Sequence, residues 1–166
     1  MAYRIRKASL DDLTDILWLI QCKAVFDGCL ERVAATREKL EKTLFAARPM
    51  AYILLVETDS PDDLPVGFAS YHFTFSTFLA QPSIWLDDIF VESAHRNRGI
   101  GTQLIEQLCQ TASDRDCGRI DWTVDVNNAA GIRFYQRMGA RLKKEVYLCR
   151  MTSEAIAQAS ASGFVK

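Results

Sequence analysis

The sequence predicts an α+β domain on three observations. Strand-like and helix-like patterns interleave from residue 3 onward in the order strand, two helices, three strands, helix, strand, helix, strand. Two β-rich runs, 50–57 and 66–75, are separated only by a stretch with turn chemistry, which makes them neighbouring antiparallel strands. The chain has 166 residues, 49% hydrophobic and 25% charged, with no internal repeat, low-complexity block or linker, so one core is the natural arrangement. We expect a single domain over 1–151 and an Ala- and Ser-rich C-terminal tail over 152–166, helical or frayed.

The elements follow in order. Alternation in Tyr3-Arg4-Ile5-Arg6 gives a short first strand, and Ser9 caps a helix whose Leu13, Ile16, Leu17 and Ile20 keep helical spacing. A second helix spans Thr36 to Ala47, with Leu40, Leu44 and Phe45 on one side and Pro49 as its stop. After strands 50–57 and 66–75, a loop around Pro82 leads into a strand from Ile84 to Val91 that carries two acids, Asp87 and Asp88. A glycine-rich junction opens a helix from Gly101 to Ser113, on Leu104, Ile105, Leu108 and Ala112. A strand from Arg119 to about Val126, a helix from near Asn128 to Gly139 and a last strand from about Leu142 to Met151 complete the domain.

Composition excludes several classes of function. Twenty Lys and Arg against 21 Asp and Glu give a net charge of −1, which does not suit a surface devoted to nucleic acid or anionic lipid. Five cysteines (Cys22, Cys29, Cys109, Cys117, Cys149) without a C-x-x-C pair, and two histidines, do not make a zinc site. The cysteines read as small buried hydrophobes, and no Ser-His-Asp or Cys-His order points to a covalent intermediate. The N-terminus has no apolar leader and no stretch is long enough to cross a membrane, so we expect a cytoplasmic protein with reduced thiols and no metal.

The most informative segment is Arg96-Asn97-Arg98-Gly99-Ile100-Gly101-Thr102, after a strand and at the opening of a helix. A helix N-terminus offers unpaired N–H groups and partial positive charge, glycine lets a ligand approach the backbone, and arginines add charge-assisted hydrogen bonds. Together these suit a pyrophosphate; alone, the segment reads equally well as a glycine turn with solvated arginines. The dinucleotide fingerprint would need a third glycine where Leu104 stands, and a P-loop would need a lysine before Thr102, so neither applies. Further on, Asn128 can cap a helix that carries Phe134 and Tyr135 and ends at Gly139. By itself Tyr135 reads as a packing residue.

Together the two segments resemble the GNAT N-acetyltransferase superfamily. Arg96, Gly99 and Gly101 match its coenzyme A loop, and Asn128, Gly131, Phe134 and Tyr135 match its later motif. The chain is most similar to the diamine, spermidine/spermine and thialysine acetyltransferases, through 5–8 with 15–20, 67–74 and 86–91. The resemblance implies a three-layer α/β arrangement: a mixed, mainly antiparallel central sheet with helices on both faces and a splayed central strand.

It also implies acetyl-CoA as co-substrate, a small cationic amine as acceptor, direct transfer in a ternary complex, and a homodimer; a GNAT enzyme acting on a peptide, amino acid or aminoglycoside, or a non-catalytic acyl-CoA-binding module, is the alternative. On the same basis Ile89, Phe90 and Val91 present backbone groups to the thioester arm. Asn97, Arg98, Gly99, Ile100, Gly101 and Thr102, with Arg96, hold the pyrophosphate, and Asn128, Ala130 and Gly131 bind further along the cofactor. Tyr135 matches the family's proton donor. Asp87 stands where the likened enzymes usually have a glutamate that removes the amine proton, while Phe26 and Asp27 fall where they line the amine site. A helix end with an exposed Asp27 before Gly28 is the alternative at that position. Successive strand residues face opposite sides, so Asp87 and Asp88 share a cleft only if the strand bulges.

Overall fold

The computed structural model describes residues 2–60 and 63–162; residues 61–62 of the expected turn and 163–166 of the expected tail lie outside them. The chain divides into two compact units, 1–123 and 124–166.

In the first unit, β1 (Tyr3–Lys7), β2 (Tyr52–Thr58), β3 (Gly67–Ser76), β4 (Gln81–Val91) and β5 (Ile120–Asp121) form one sheet in that order. The first three pairings are antiparallel and β4–β5 is parallel, so the sheet is mixed and mainly antiparallel. Ile53, Leu55, Phe68 and Phe90 alternate onto one face and pack with Ile16 and Leu19 of α1 (Leu13–Phe26). Leu40 and Leu44 of α2 (Arg37–Leu44) and the following Phe45 pack at the margin of the same cluster. Leu54, Val56, Ala69, Tyr71, Ile84 and Leu86 are buried on the other face, as is the apolar stripe Ile100, Leu104, Ile105, Leu108 and Ala112 of α3 (Ile100–Asp114). Helices therefore cover both faces of the sheet.

One polar clamp fixes the start of the chain. Arg6 on β1 forks onto both oxygens of Asp12 at 2.7 Å each and also donates to Glu57 on β2 at 2.7 Å. The Ser9 N–H, 2.6 Å from Asp12 Oδ2, closes the turn that leads through a short 3-10 turn (Leu10–Asp12) into α1.

Four expectations need correction. The second helix ends at Leu44 rather than Ala47, because Phe45 leaves helical geometry (φ −118°, ψ 15°) and packs on the core before Pro49 is reached. Pro82 lies inside β4, opposite Phe75, at the end of the strand where a missing N–H is tolerated; the turn is at 77–80, with Ala80 at φ +52°. The strand expected over 119–126 is confined to Ile120–Asp121. No strand forms over 142–151 among the described residues, and Val146, Tyr147 and Leu148 there are exposed, with no ladder to hold them extended.

In the second unit, α4 (Ala129–Arg137) starts at Asn128, whose side chain accepts from the Gly131 N–H at 2.8 Å. Gly139 follows it at φ +90°, and α5 (Ser153–Ser162) provides the helical tail.

The cysteines also depart from expectation, since none is fully buried: Cys109 and Cys149 are exposed and Cys22, Cys29 and Cys117 half-buried. Cys109 sits beside, not within, the apolar stripe of α3. Burial pushes the Cys22 and Cys117 thiols up, away from the thiolate a nucleophile needs.

Candidate active site

The glycine loop forms the start of α3. A 3-10 turn (Ser93–His95) ends β4, Asn97 (φ +60°) and Gly99 (φ +82°) take left-handed conformations, and Gly99 is the residue from which α3 begins. The first turn of α3, through Gly101 and Thr102, presents N–H groups that no helical carbonyl can satisfy, at the positive end of the helix. Ile100 is buried, so only its backbone is available to a ligand. Arg98 donates to the Tyr3 hydroxyl at 3.2 Å, and that hydroxyl lies 3.1 Å from His95 Nδ1. Arg96 is used differently: its Nε donates to the Val91 carbonyl at 2.8 Å, and its guanidinium lies 4.2 Å from the centre of the Phe26 ring. The sequence placed Phe26 and Arg96 in different subsites, whereas the fold stacks one on the other.

Because Gly99 has open space around a Cβ but a left-handed backbone, Gly99→Ala should lower stability by about 1 kcal/mol without a clash. A urea midpoint that falls while the circular dichroism spectrum stays native checks this; an unchanged midpoint would show that the loop tolerates alanine.

β4 is splayed. It pairs with β5 only at Ile84 and Trp85, so the edge of Leu86–Val91 on that side is not covered by β5, and Ile89, Phe90 and Val91 pair with β3 on the other. The approach of β3 is close: a Cβ on Gly67 would lie 2.6 Å from the Phe90 carbonyl oxygen. The register shifts between Ser70 and Tyr71, whose partners are Asp88 and Leu86, so Asp87 is the extra residue of a bulge. Asp87 is exposed and accepts from Trp85 Nε1 at 3.0 Å, with His72 Nδ1 at 3.4 Å. His72 alternates along β3 onto the face of Phe68 and Ser70, and Trp85 and Asp88 are paired with that face. The bulge thus turns both acids toward the side of the sheet that carries α1.

Asp88 meets α1 there. Lys23 Nζ lies 2.9 Å from Asp88 Oδ1 and forms a close ion pair with Asp27, one turn further along the helix. Burial pulls the Lys23 ammonium down in pKa, but the hydrogen bonds to Asp27 and Asp88 outweigh it and hold the group above its ordinary value. These three side chains, with Ile20, Cys29 and Arg32, line a cavity of about 320 Å³. A second cavity, about 450 Å³, lies at the β1–β2 edge against Tyr3, Glu57, Asp59 and Asp63, and neither acid of β4 lines it. Sequence reasoning missed Lys23, His72 and Trp85. The Lys23–Asp27 spacing of four was a readable signal, but the contact with Asp88 depends on the bulge.

In the second unit, Asn128 and Ala130 are exposed and Gly131 and Tyr135 half-buried. A Cβ on Gly131 would lie 2.7 Å from the Asn128 amide, so a larger residue there would push the capping side chain aside. The Asn-x-x-Gly spacing therefore has a structural cause as well as a candidate binding role. The Tyr135 ring lies tilted against Phe134, ring centres 5.2 Å apart. Among the described residues no group of three or more His, Cys, Asp or Glu could hold a metal, and no helix is long and apolar enough to cross a membrane.

A model of the acetyltransferase (GNAT) family matches residues 11–140, a span that includes the splayed strand, the glycine-opened helix and the Asn128 cap. The chain belongs to the GNAT family. It is 29% identical to the L-ornithine N5-acetyltransferase NATA1 of Arabidopsis thaliana over 94% of this chain and 87% of that one. It is also 29% identical to the thialysine N-epsilon-acetyltransferase of Mus musculus, over 83% and 84% respectively. Among solved structures, an integron cassette protein from V. cholerae superposes with a TM-score of 0.79 at 24% identity, covering 98% of this chain and 99% of that one, which shows the shared fold. The chain is an N-acetyltransferase.

Proposed function

We propose that this GNAT enzyme transfers the acetyl group of acetyl-CoA to a primary amine of a small cationic acceptor, a polyamine, diamine or lysine-like molecule, by direct attack in a ternary complex. The observation that carries the reading is the pair of carboxylates, Asp27 and Asp88, on one cavity beside the bulged strand. Carboxylates facing a cavity favour a cationic guest. The relatives named ornithine and thialysine acetyltransferases support an amine of that kind.

Each residue then has a role. The α3 N-terminus, from Asn97 to Thr102, holds the pyrophosphate through backbone N–H groups, with Arg98 adding charge. Arg96 shapes the corner through Val91 and Phe26 rather than by reaching outward. The uncovered edge of Ile89, Phe90 and Val91 receives the pantetheine arm, and Asn128, Ala130 and Gly131 bind further along the cofactor. An alkylammonium has a pKa of about 10, so a base must free the lone pair before it can attack. Asp87 takes that proton through water, held in place by Trp85 and His72. As the C–S bond breaks, Tyr135 gives its phenolic proton to the departing thiolate. The enzyme works in the cytoplasm as a homodimer, which light scattering on the eluted protein tests.

The test is to incubate the protein with acetyl-CoA and putrescine, spermidine, spermine, thialysine, lysine, ornithine, aminoglycosides and short lysine peptides, following thiol release and products by mass spectrometry. One or a few small cationic amines should be acetylated, and Asp87→Ala should lower kcat at least about 100-fold near pH 7, the usual size of a general-base contribution. Acetylation of peptides alone, or acetyl-CoA binding with no product, would overturn the small-amine reading.

A further inference from the structure

The cavity is not simply acidic, because a lysine already occupies the space between its two carboxylates. Lys23 engages Oδ2 of Asp27 and Oδ1 of Asp88, and its side chain is only 23% exposed. An ammonium has three N–H donors, so two are used here and one remains for a ligand. Asp27, Lys23 and Asp88 together carry a charge of −1 and present both signs to the same cavity, with Arg32 a further cation on its wall. A chain of amines with positive charge only would have to displace Lys23 from its carboxylates or place its second ammonium against it. A zwitterionic end suits the arrangement without displacement: its ammonium takes a carboxylate oxygen and its carboxylate takes the free Lys23 donor.

We infer that Lys23 is a specificity-determining residue that selects acceptors bearing an α-amino acid head on their distal end over diamines and polyamines of the same length. This rests on the cavity being the acceptor site. The acceptor class is then a basic amino acid, acetylated on its side-chain amine while the head group is held by Lys23, Asp27 and Asp88. Removing the Lys23 charge frees both carboxylates and favours the purely cationic guest.

Matched pairs that differ only by the carboxylate read this directly: ornithine against putrescine, and lysine against cadaverine. Wild-type kcat/KM should favour the amino acid in each pair by at least about tenfold, the worth of one charge-assisted contact. Lys23→Met should lower that ratio at least about tenfold, and Lys23→Arg, which keeps the charge, should retain most of it. A ratio unchanged in a Lys23→Met protein that melts cooperatively, or a wild type that prefers the diamines, overturns the inference. Should Lys23→Met fail to fold, Lys23→Gln reads the same ratio. If the wild type acetylates none of the four, the small-amine reading is judged on the polyamines and thialysine of the wider pool. Calorimetric binding of ornithine and putrescine then decides the inference separately: preference for ornithine that Lys23→Met or Lys23→Gln removes supports it, and equal or absent binding overturns it.

Discussion

Replacing Tyr135 by phenylalanine should lower kcat by about 100-fold or more while leaving the affinity for acetyl-CoA unchanged. The expectation follows from what the substitution removes. Phenylalanine keeps the aromatic ring that lies tilted against Phe134 and removes the hydroxyl. A positioned proton donor contributes about 10² to 10⁴ in rate, and a thiolate leaving an acyl carbon at neutral pH gains from one because a phenol still carries its proton there. The loss should fall on kcat with little change in the KM of the amine, since the hydroxyl acts on bond breaking rather than on acceptor binding. Steady-state kinetics with the best amine, together with calorimetric titration of coenzyme A, separate the two. If kcat stays within about threefold of wild type, Tyr135 is a packing residue and the leaving group is protonated by another source; a parallel loss of coenzyme A affinity would make its role one of binding.

The parts of this molecule that a sequence exposes are those that depend on local spacing. Gly99 and Gly101 stand at a strand-to-helix junction that the apolar periodicity on either side had already located, and Asn128 caps the helix it was expected to cap. The order of elements through α4 was likewise readable, because each apolar pattern closes within one helix or strand. What escaped depends on the register between strands. The bulge at Asp87 is a property of the β3–β4 pairing, and only through it do Asp87 and Asp88 turn to the same side and bring Asp88 to Lys23. Arg96 was read as a charge for a phosphate, yet the curvature of the chain after β4 folds it onto Phe26, a contact spanning 70 positions that no local pattern encodes. The apolar residues of 142–151 mark the opposite error: β-branched and aromatic character is half of a strand, and the other half is a neighbour to pair with.

Replacing Asp12 by alanine should destabilise the fold by about 2 kcal/mol at neutral pH, and the deficit should shrink as the pH falls. The hydrogen bonds from Arg6 hold the Asp12 carboxyl down to about 2, against the opposing effect of burial and with further help from the Ser9 N–H and hydroxyl. Arg6 in turn is raised by the same contact, so both partners report one interaction. A carboxyl whose folded pKa lies below its unfolded value, near 3.9, stabilises the fold fully above that value and loses the contribution as the pH drops toward the folded pKa. A shift from 3.8 to about 2 corresponds to roughly 2 kcal/mol, an upper figure because Arg6 is 27% exposed and partly screened. Alanine does not strand the arginine, since Glu57 remains 2.7 Å away, which keeps the cost below the ~3–5 kcal/mol typical of breaking a buried pair. It does remove the acceptor of the Ser9 N–H at the entry to α1, so the effect should not vanish completely in acid. Urea unfolding of both proteins between about pH 7 and pH 2 measures the difference. A constant gap across that range would mean that packing rather than charge is lost, and no gap at neutral pH would mean that Glu57 alone suffices to hold Arg6 and join β1 to β2.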